Sequence, residues 1–477
     1  MFKLKMSYLT IVLCCLSVVC GTKTCAQIEI TLDVFLAYAL GEKSDAMRMI
    51  DAQSEINQLD HALSYESFLP TASLSLNGPT YSKTISPITQ PDGSVCYRQV
   101  NSMNESVSVR LSAPINQTGG SLSLQSSVSA YQHFSNGETS MSISVNYYRL
   151  SLSQPLNFYS ENKWNKRLLV HSHRQKEIEN KDAYSDELTE CMRSYFDMVI
   201  SQLKDSLLHS ELASYEVLAS RLKDELKVGR ALETEWDEVN LKCEELRLQI
   251  LDNEAEYRSK CDYLSSRYGL IADAVSLWAC PGFPPLELNI EQTEQEALAK
   301  FEAQSAYAIE SQRKNIEKLE RTRWGSPSLS ANVGLSSSSS DFDDLKNHIG
   351  KDYGAGVSFS LSITGLSSNK KELKRAVLQN ECLQISNDLK RRNLLYDLRS
   401  DFQRYHVLSS TYRNNISRER MLIKKLDIAT GKYKLQHILL DEVEDVMSQI
   451  SQVRISQIEN IRDSYLLISS INKKTKY

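Results

Sequence analysis

The chain has 477 residues, a formal net charge of -5 at pH 7 and no basic run longer than a few residues, which argues against a nucleic-acid partner. A hydrophobic share of 41% and a mean hydropathy of -0.37 exclude a bundle of membrane-spanning helices, but not a membrane β-barrel, whose strands are apolar only at alternate positions. With 17 Gly and 10 Pro, about half the usual share, the secondary structure should run in long uninterrupted elements.

Residues 8–20 form an apolar run of 13 residues, shorter than the ~20 of a spanning helix. The run follows Lys3 and Lys5 and leads into TKTCAQ, so residues 1–26 read as a secretory signal cleaved near Ala26. The sequence SVVC has Val where a lipidation motif wants a small residue, which argues against a lipid on Cys20. The leader takes Cys14, Cys15, Cys20 and Cys25 with it. Cys96, Cys191, Cys243, Cys261, Cys280 and Cys382 remain; they show no CxxC spacing, so buried apolar roles are expected rather than a zinc site or a dense disulfide framework. A disulfide in an oxidising compartment is left open.

A helix is expected over about 31–68, then a region of different texture. TASLSLN (71–77), SVSVRL (106–111), SLSLQSSV (121–128) and MSISVNYYRLSL (141–152) alternate apolar residues with Ser, as do SLSANVGL (328–335) and VSFSLSI (357–363) further on. Alternation gives each face of a strand its own chemistry. A soluble sandwich would carry Lys, Glu and Thr on its polar face. A face of small uncharged Ser suits the lumen side of a membrane barrel, with the apolar face to lipid.

Proline is absent from 156–280 and from 328–477; Gly229 is the one glycine in 157–268, and Gly431 the one in 366–477. Two long helical hairpins follow. Val239, Cys243, Leu246 and Ile250 step by 4, 3 and 4; Leu395, Leu398, Phe402 and Tyr405 by 3, 4 and 3; Leu439, Val443, Val446, Ile450 and Val453 by 4, 3, 4 and 3. These are coiled-coil seams with charged residues on the opposite faces. From Asn162 to Gly229 is 67 residues, about 100 Å of helix. The return helix covers about 230–268, and a further helix of about 291–323 enters the second strand region.

LSLSQPLNFYSENKW (150–164) aligns with VSFSLSITGLSSNKK (357–371) at an offset of 207, and LKVGRALETEWDEV (226–239) aligns with YKLQHILLDEVEDV (433–446) at the same offset. This is an internal repeat of strand, long helix, turn and return helix. The chain divides into a signal peptide (1–26), a first repeat (27–269), a linker in an equatorial region (270–290) and a second repeat (291–477). Pro70 and Pro327 lie 257 apart, so the first strand region holds 50 extra residues, with turn signals at PDG (91–93), TGG (118–120) and NG (136–137). They read as an extended extracellular loop, about 80–140, with a hairpin of its own; additional spanning strands are the alternative. The fold class is α+β: helical hairpins forming a periplasmic α-barrel, plus four transmembrane strands per chain. Four strands leave an open edge that lipid cannot satisfy, and three copies would close a twelve-strand barrel.

This order of motifs resembles the outer-membrane efflux protein family, the TolC-like channels, from TLDVFLAYAL (31–40) through both repeats. The resemblance implies a homotrimeric channel in the outer-membrane lipid of a Gram-negative bacterium with a long periplasmic extension. It also implies docking on a periplasmic membrane-fusion adaptor and an inner-membrane pump. In that family a glycine at the periplasmic turn precedes an acidic-aliphatic stretch, as in VGRALETEWDEV; the second copy departs by placing Gln436 there. Transferred by position, the entrance constriction falls on Glu442 and Asp445, two rings of carboxylates in a threefold assembly. Their counterparts Glu235 and Glu238 leave open a plainer role beside a helix dipole. The adaptor-docking tips fall on Val228, Gly229, Arg230, Leu435, Gln436 and His437.

His171 and His173 would point to different faces of a helix, GKDYGAG (350–356) opens a strand with no helix behind it, and SSSSS (336–340) reads as a loop. No GxSxG, HExxH or P-loop pattern occurs, so no enzyme, metal or cofactor is expected. The function read from the sequence is a passive exit duct of a tripartite efflux or type I secretion system. The competing class is a secreted trimeric coiled-coil stalk or adhesin with a membrane anchor. Drug, peptide, protein and metal-ion cargo are not distinguished.

Overall fold

The computed structural model describes residues 29–41, 44–135, 138–229, 232–269, 277–360, 365–434 and 440–476. The leader expected at 1–26 lies outside them. In chain order the elements are β1 (Glu29–Ile30), α1 (Leu32–Ala39), α2 (Asp45–Glu66), β2 (Thr71–Thr89), β3 (Val95–Ile115), β4 (Gly120–Ser135) and β5 (Glu138–Pro155). Then come α3 (Glu161–Lys227), α4 (Glu233–Tyr268), β6 (Leu277–Trp278), α5 (Ile290–Thr322), β7 (Ser326–Ser339), a 3-10 turn (Asp343–Lys346), β8 (Ile349–Ser360), α6 (Gly365–Lys434) and α7 (Leu440–Thr475). Helices α3 and α6 have 67 and 70 residues, and α4 and α7 have 36 each, the lengths that scarcity of Gly and Pro permits.

Two compact units result. The first draws its described residues from Met1–Met49, Tyr184–Glu287 and Ser400–Lys473. Its core joins Phe35 and Ala39 of α1, Cys191, Tyr195 and Phe196 of α3, Leu264 and Tyr268 of α4, Trp278 of β6, and Ile458 and Ile461 of α7. Phe35 meets the rings of Tyr195, Tyr268 and Trp278 at centroid distances of 5.6, 6.1 and 5.7 Å, offset and edge contacts that add to the area each ring buries. The Tyr195 hydroxyl donates to the carbonyl of Ile30 at 3.0 Å and to that of Ala279, tying the parallel pair β1–β6 to the core. Away from this cluster, Val239, Cys243 and Leu246 of α4 pack on Tyr215 and Leu218 of α3, and Val446, Ile450 and Val453 of α7 pack on Leu422 of α6.

The second unit, Ile50–Ala183, Leu288–Arg399 and Lys474–Tyr477, contains a six-stranded antiparallel sheet in the order β2-β3-β4-β5-β7-β8. The expectation of four strands per chain is corrected here. The region 80–140 is neither a free loop nor a separate hairpin; its described part is built of full-length strands, and β3 and β4 pair over nearly all of their lengths with β2 and β5. The physical reason lies in the runs between the turns. Each has a long alternating stretch, and a hairpin that continues the alternation satisfies its backbone best by joining the existing ladder. Ser336–Ser339, expected as a loop, likewise belong to β7, where Ser336 and Ser337 sit opposite Gly350 and Ile349.

Candidate pore wall and entrance

Register across the sheet separates two chemistries. Ala72, Leu111, Leu124, Leu150, Val333 and Tyr353 lie level on six successive strands. One residue along, Thr71, Ser112, Ser123, Ser151, Asn332 and Gly354 lie level on the opposite face. The apolar row is exposed: Leu111 is 47% accessible, Val333 51% and Tyr353 85%. A soluble sheet covers such a row with a second layer; this row has only the surroundings against it. The small-residue face also carries one cationic level, where Arg110 on β3 and Arg149 on β5 flank Gln125, and Arg110 donates to Gln125 Oε1 at 2.7 Å.

Ion pairs hold the helices of this unit that lead to and from the sheet. Glu161, at the start of α3, lies 3.0 Å from Lys314 and 3.7 Å from Lys318 of α5. The hydrogen bond from Lys314 is the main reason its carboxyl sits below the usual carboxylate range. The Trp164 indole donates to Glu317 at 3.1 Å, and Lys300, buried, pairs with Asp182.

The expected entrance residues lie in the first unit. Glu442 and Asp445 are exposed in the first turns of α7, three residues apart and hence on one side of it. They share an open depression with Glu211 and Tyr215 of α3, Lys242 of α4, and Glu444 and Ser448. Their first-repeat counterpart Glu235 accepts the backbone N–H of Leu232 at 3.1 Å, so that carboxylate serves the start of α4. Of the tip residues, Val228 is 70% accessible and Gly229 has φ 75°, a left-handed conformation that closes α3 by donating to the carbonyl of Leu226 at 3.0 Å. Arg230, Leu435, Gln436 and His437 lie outside the described residues. Among the described residues no three His, Cys, Asp or Glu side chains are grouped to hold a metal ion. His173 stacks on His61 with centroids 4.2 Å apart and lies 3.3 Å from Glu177.

No family model matches the chain, and no curated protein matches it in sequence. Solved structures match it over 93% of its length. The Campylobacter jejuni CmeC outer membrane channel is 14% identical with a TM-score of 0.65 over 85% of its own chain. The outer-membrane channel OprN is 12% identical, with a TM-score of 0.65 over 89%. The outer membrane protein VceC from Vibrio cholerae is 11% identical, with a TM-score of 0.65 over 95%. The chain has the fold of the TolC-like outer-membrane channels. Within that channel fold the six-row register was out of reach of sequence reading, although the turn signals that create it were visible. The aromatic core was missed as well. Tyr195 lies more than seventy residues before Tyr268 and Trp278, and no periodicity links them; the signal available was that large aromatics interrupt the charged stretches of α3 and α4. Of the cysteines expected to be buried, Cys191 and Cys243 are, whereas Cys280 and Cys382 are exposed, and all six are free thiols. Cys382 stands on α6 among exposed residues, so helical spacing alone did not place it in a core.

Proposed function

We propose that this chain is the outer-membrane exit duct of an efflux or secretion pathway, and that three copies assemble to wall its pore. The observation that carries the reading is the sheet: strands of 12–21 residues, each longer than the ~9–11 that span a bilayer, with one exposed apolar row and one row of small polar residues. In lipid the open edges β2 and β8 would leave backbone groups unsatisfied, so copies must meet there. Assembly is further supported by uncovered apolar stripes at helical spacing: Ile56, Leu59 and Leu63 on α2, and Leu378, Ile385, Leu389 and Tyr396 on α6.

In this reading Glu442 and Asp445 ring the periplasmic entrance and favour cations over anions. Residues 228–230 and 435–437 meet a periplasmic adaptor coupled to an inner-membrane pump. The duct is passive: no residue performs chemistry on the cargo. Membrane fractionation, sizing in mild detergent and single-channel recording test the proposal. An outer-membrane species of three chains that conducts is the expected result. A soluble single chain, or a membrane-anchored stalk that passes no current, overturns it.

A further inference from the structure

The geometry points to β3–β4 as a hairpin of the barrel wall itself, so that three copies close eighteen strands rather than twelve. This rests on the channel reading and on the trimer. The partner at each open edge is a second copy of this chain, β8 of one meeting β2 of the next.

Three observations carry the inference. First, the turn between β3 and β4 is held where β5 gives way to α3. Ser160 donates to the carbonyl of Asn116 at 2.7 Å, and Gly119, at φ 76°, lies so close that an added Cβ would come within 2.7 Å of the Tyr159 carbonyl oxygen. A hairpin reaching into the medium would turn at the opposite end of the sheet. This one returns the full distance to the helical end. Second, β3 and β4 continue both faces without a break, Leu111 and Leu124 in the apolar row and Ser112 and Ser123 in the small polar row. An external hairpin in water has no reason to keep its apolar side level with that of a lipid-facing wall. Third, parity permits closure. With six strands in antiparallel order, β2 and β8 run in opposite directions, so identical copies can pair edge to edge in the antiparallel sense.

Barrel diameter grows roughly in proportion to strand number, so eighteen strands give a bore about half as wide again as twelve, in the class that leaves an aqueous channel. The outer-membrane portion then sieves hydrated cargo little by size. It also brings Arg110 into the lumen level with Arg149.

Single accessible cysteines test this in the full-length protein in intact outer membranes, with Cys96→Ser, Cys261→Ser, Cys280→Ser and Cys382→Ser as background and the buried Cys191 and Cys243 retained. Ser123→Cys and Leu124→Cys probe the hairpin; Ser151→Cys and Leu150→Cys, level with them on β5, are the internal control. The thiolate adds to the double bond of a charged maleimide, and apolar surroundings suppress that form, so each Ser position should react at least about tenfold faster than its Leu neighbour. Alternation at both pairs supports the wall hairpin. Alternation at 150 and 151 but equal reaction at 123 and 124 overturns it and leaves the channel reading standing. Equal reaction at both pairs overturns both. Counting strands in a barrel cross-section by electron cryo-microscopy gives an independent result: eighteen is expected, and twelve refutes the inference.

Discussion

The helical core and the sheet use the same device, an apolar stripe on an amphipathic element, with opposite outcomes. Around Phe35 and Tyr195 the stripes of several segments close on one another until both rings are buried, at 1% and 0% accessible. On the sheet, Leu74, Leu76, Val357 and Phe359 each remain more than half exposed. The lesson is that burial is a relation between a stripe and a partner. In one region the partner is inside the chain; in the other no described residue covers the stripe, and in the proposed reading lipid or another copy does.

Four tests, two of them paired substitutions, would break or sharpen this contrast. The largest effect is expected at Phe35→Ala, which leaves a void among three rings and should cost about 3–5 kcal/mol in chemical denaturation followed by helical signal. The equivalent truncation Leu74→Ala, on an exposed strand position, should move the same curve far less. Next comes a pair on adjacent residues of β4: Leu124→Arg, on the apolar face, should lower the yield of assembled membrane protein by the equivalent of about 2–4 kcal/mol, whereas Ser123→Arg should be tolerated. Equal effects at the two positions would remove the distinction between the faces. Gly229→Ala meets no atom within 4 Å and is penalised by the left-handed backbone alone, about 1–2 kcal/mol, visible as faster cleavage of the α3–α4 turn by an added protease.

The smallest effect is electrostatic. The carboxyl of Glu161 is held low, chiefly by Lys314, so its contribution is present above its unfolded pKa and lost as pH falls through the folded value. Glu161→Gln should therefore lower the melting temperature slightly at neutral pH, with the difference from wild type shrinking as pH falls below the ordinary carboxylate range.

These contrasts also mark what could be read from residues alone. The seam positions Val239, Cys243, Leu246 and Ile250 were legible, and all four are buried, because a helix's neighbours at i+3 and i+4 are fixed by its own geometry. Alternation in 121–128 and 141–152 was legible for the same reason. The number of strands was not: PDG, TGG and NG announce turns, but whether a turn begins a free hairpin or another wall strand depends on which ladder the following residues join. The surroundings of the proposed entrance residues were only partly legible. The family resemblance singled out Glu442 and Asp445, but their sharing a depression with Glu211 and Lys242 follows from how three helices pack.

The sequence by itself determined the long helices, the alternating strands, their order and the face each residue takes, since these depend on local backbone geometry and on where Gly and Pro fall. Only the tertiary structure decided that β3 and β4 complete a six-stranded sheet, that Phe35, Tyr195 and Trp278 meet, and that a whole apolar row stays uncovered. Those are contacts between residues tens to hundreds of positions apart, and no local preference specifies them; they arise where backbone hydrogen bonds and apolar surface can both be satisfied at once.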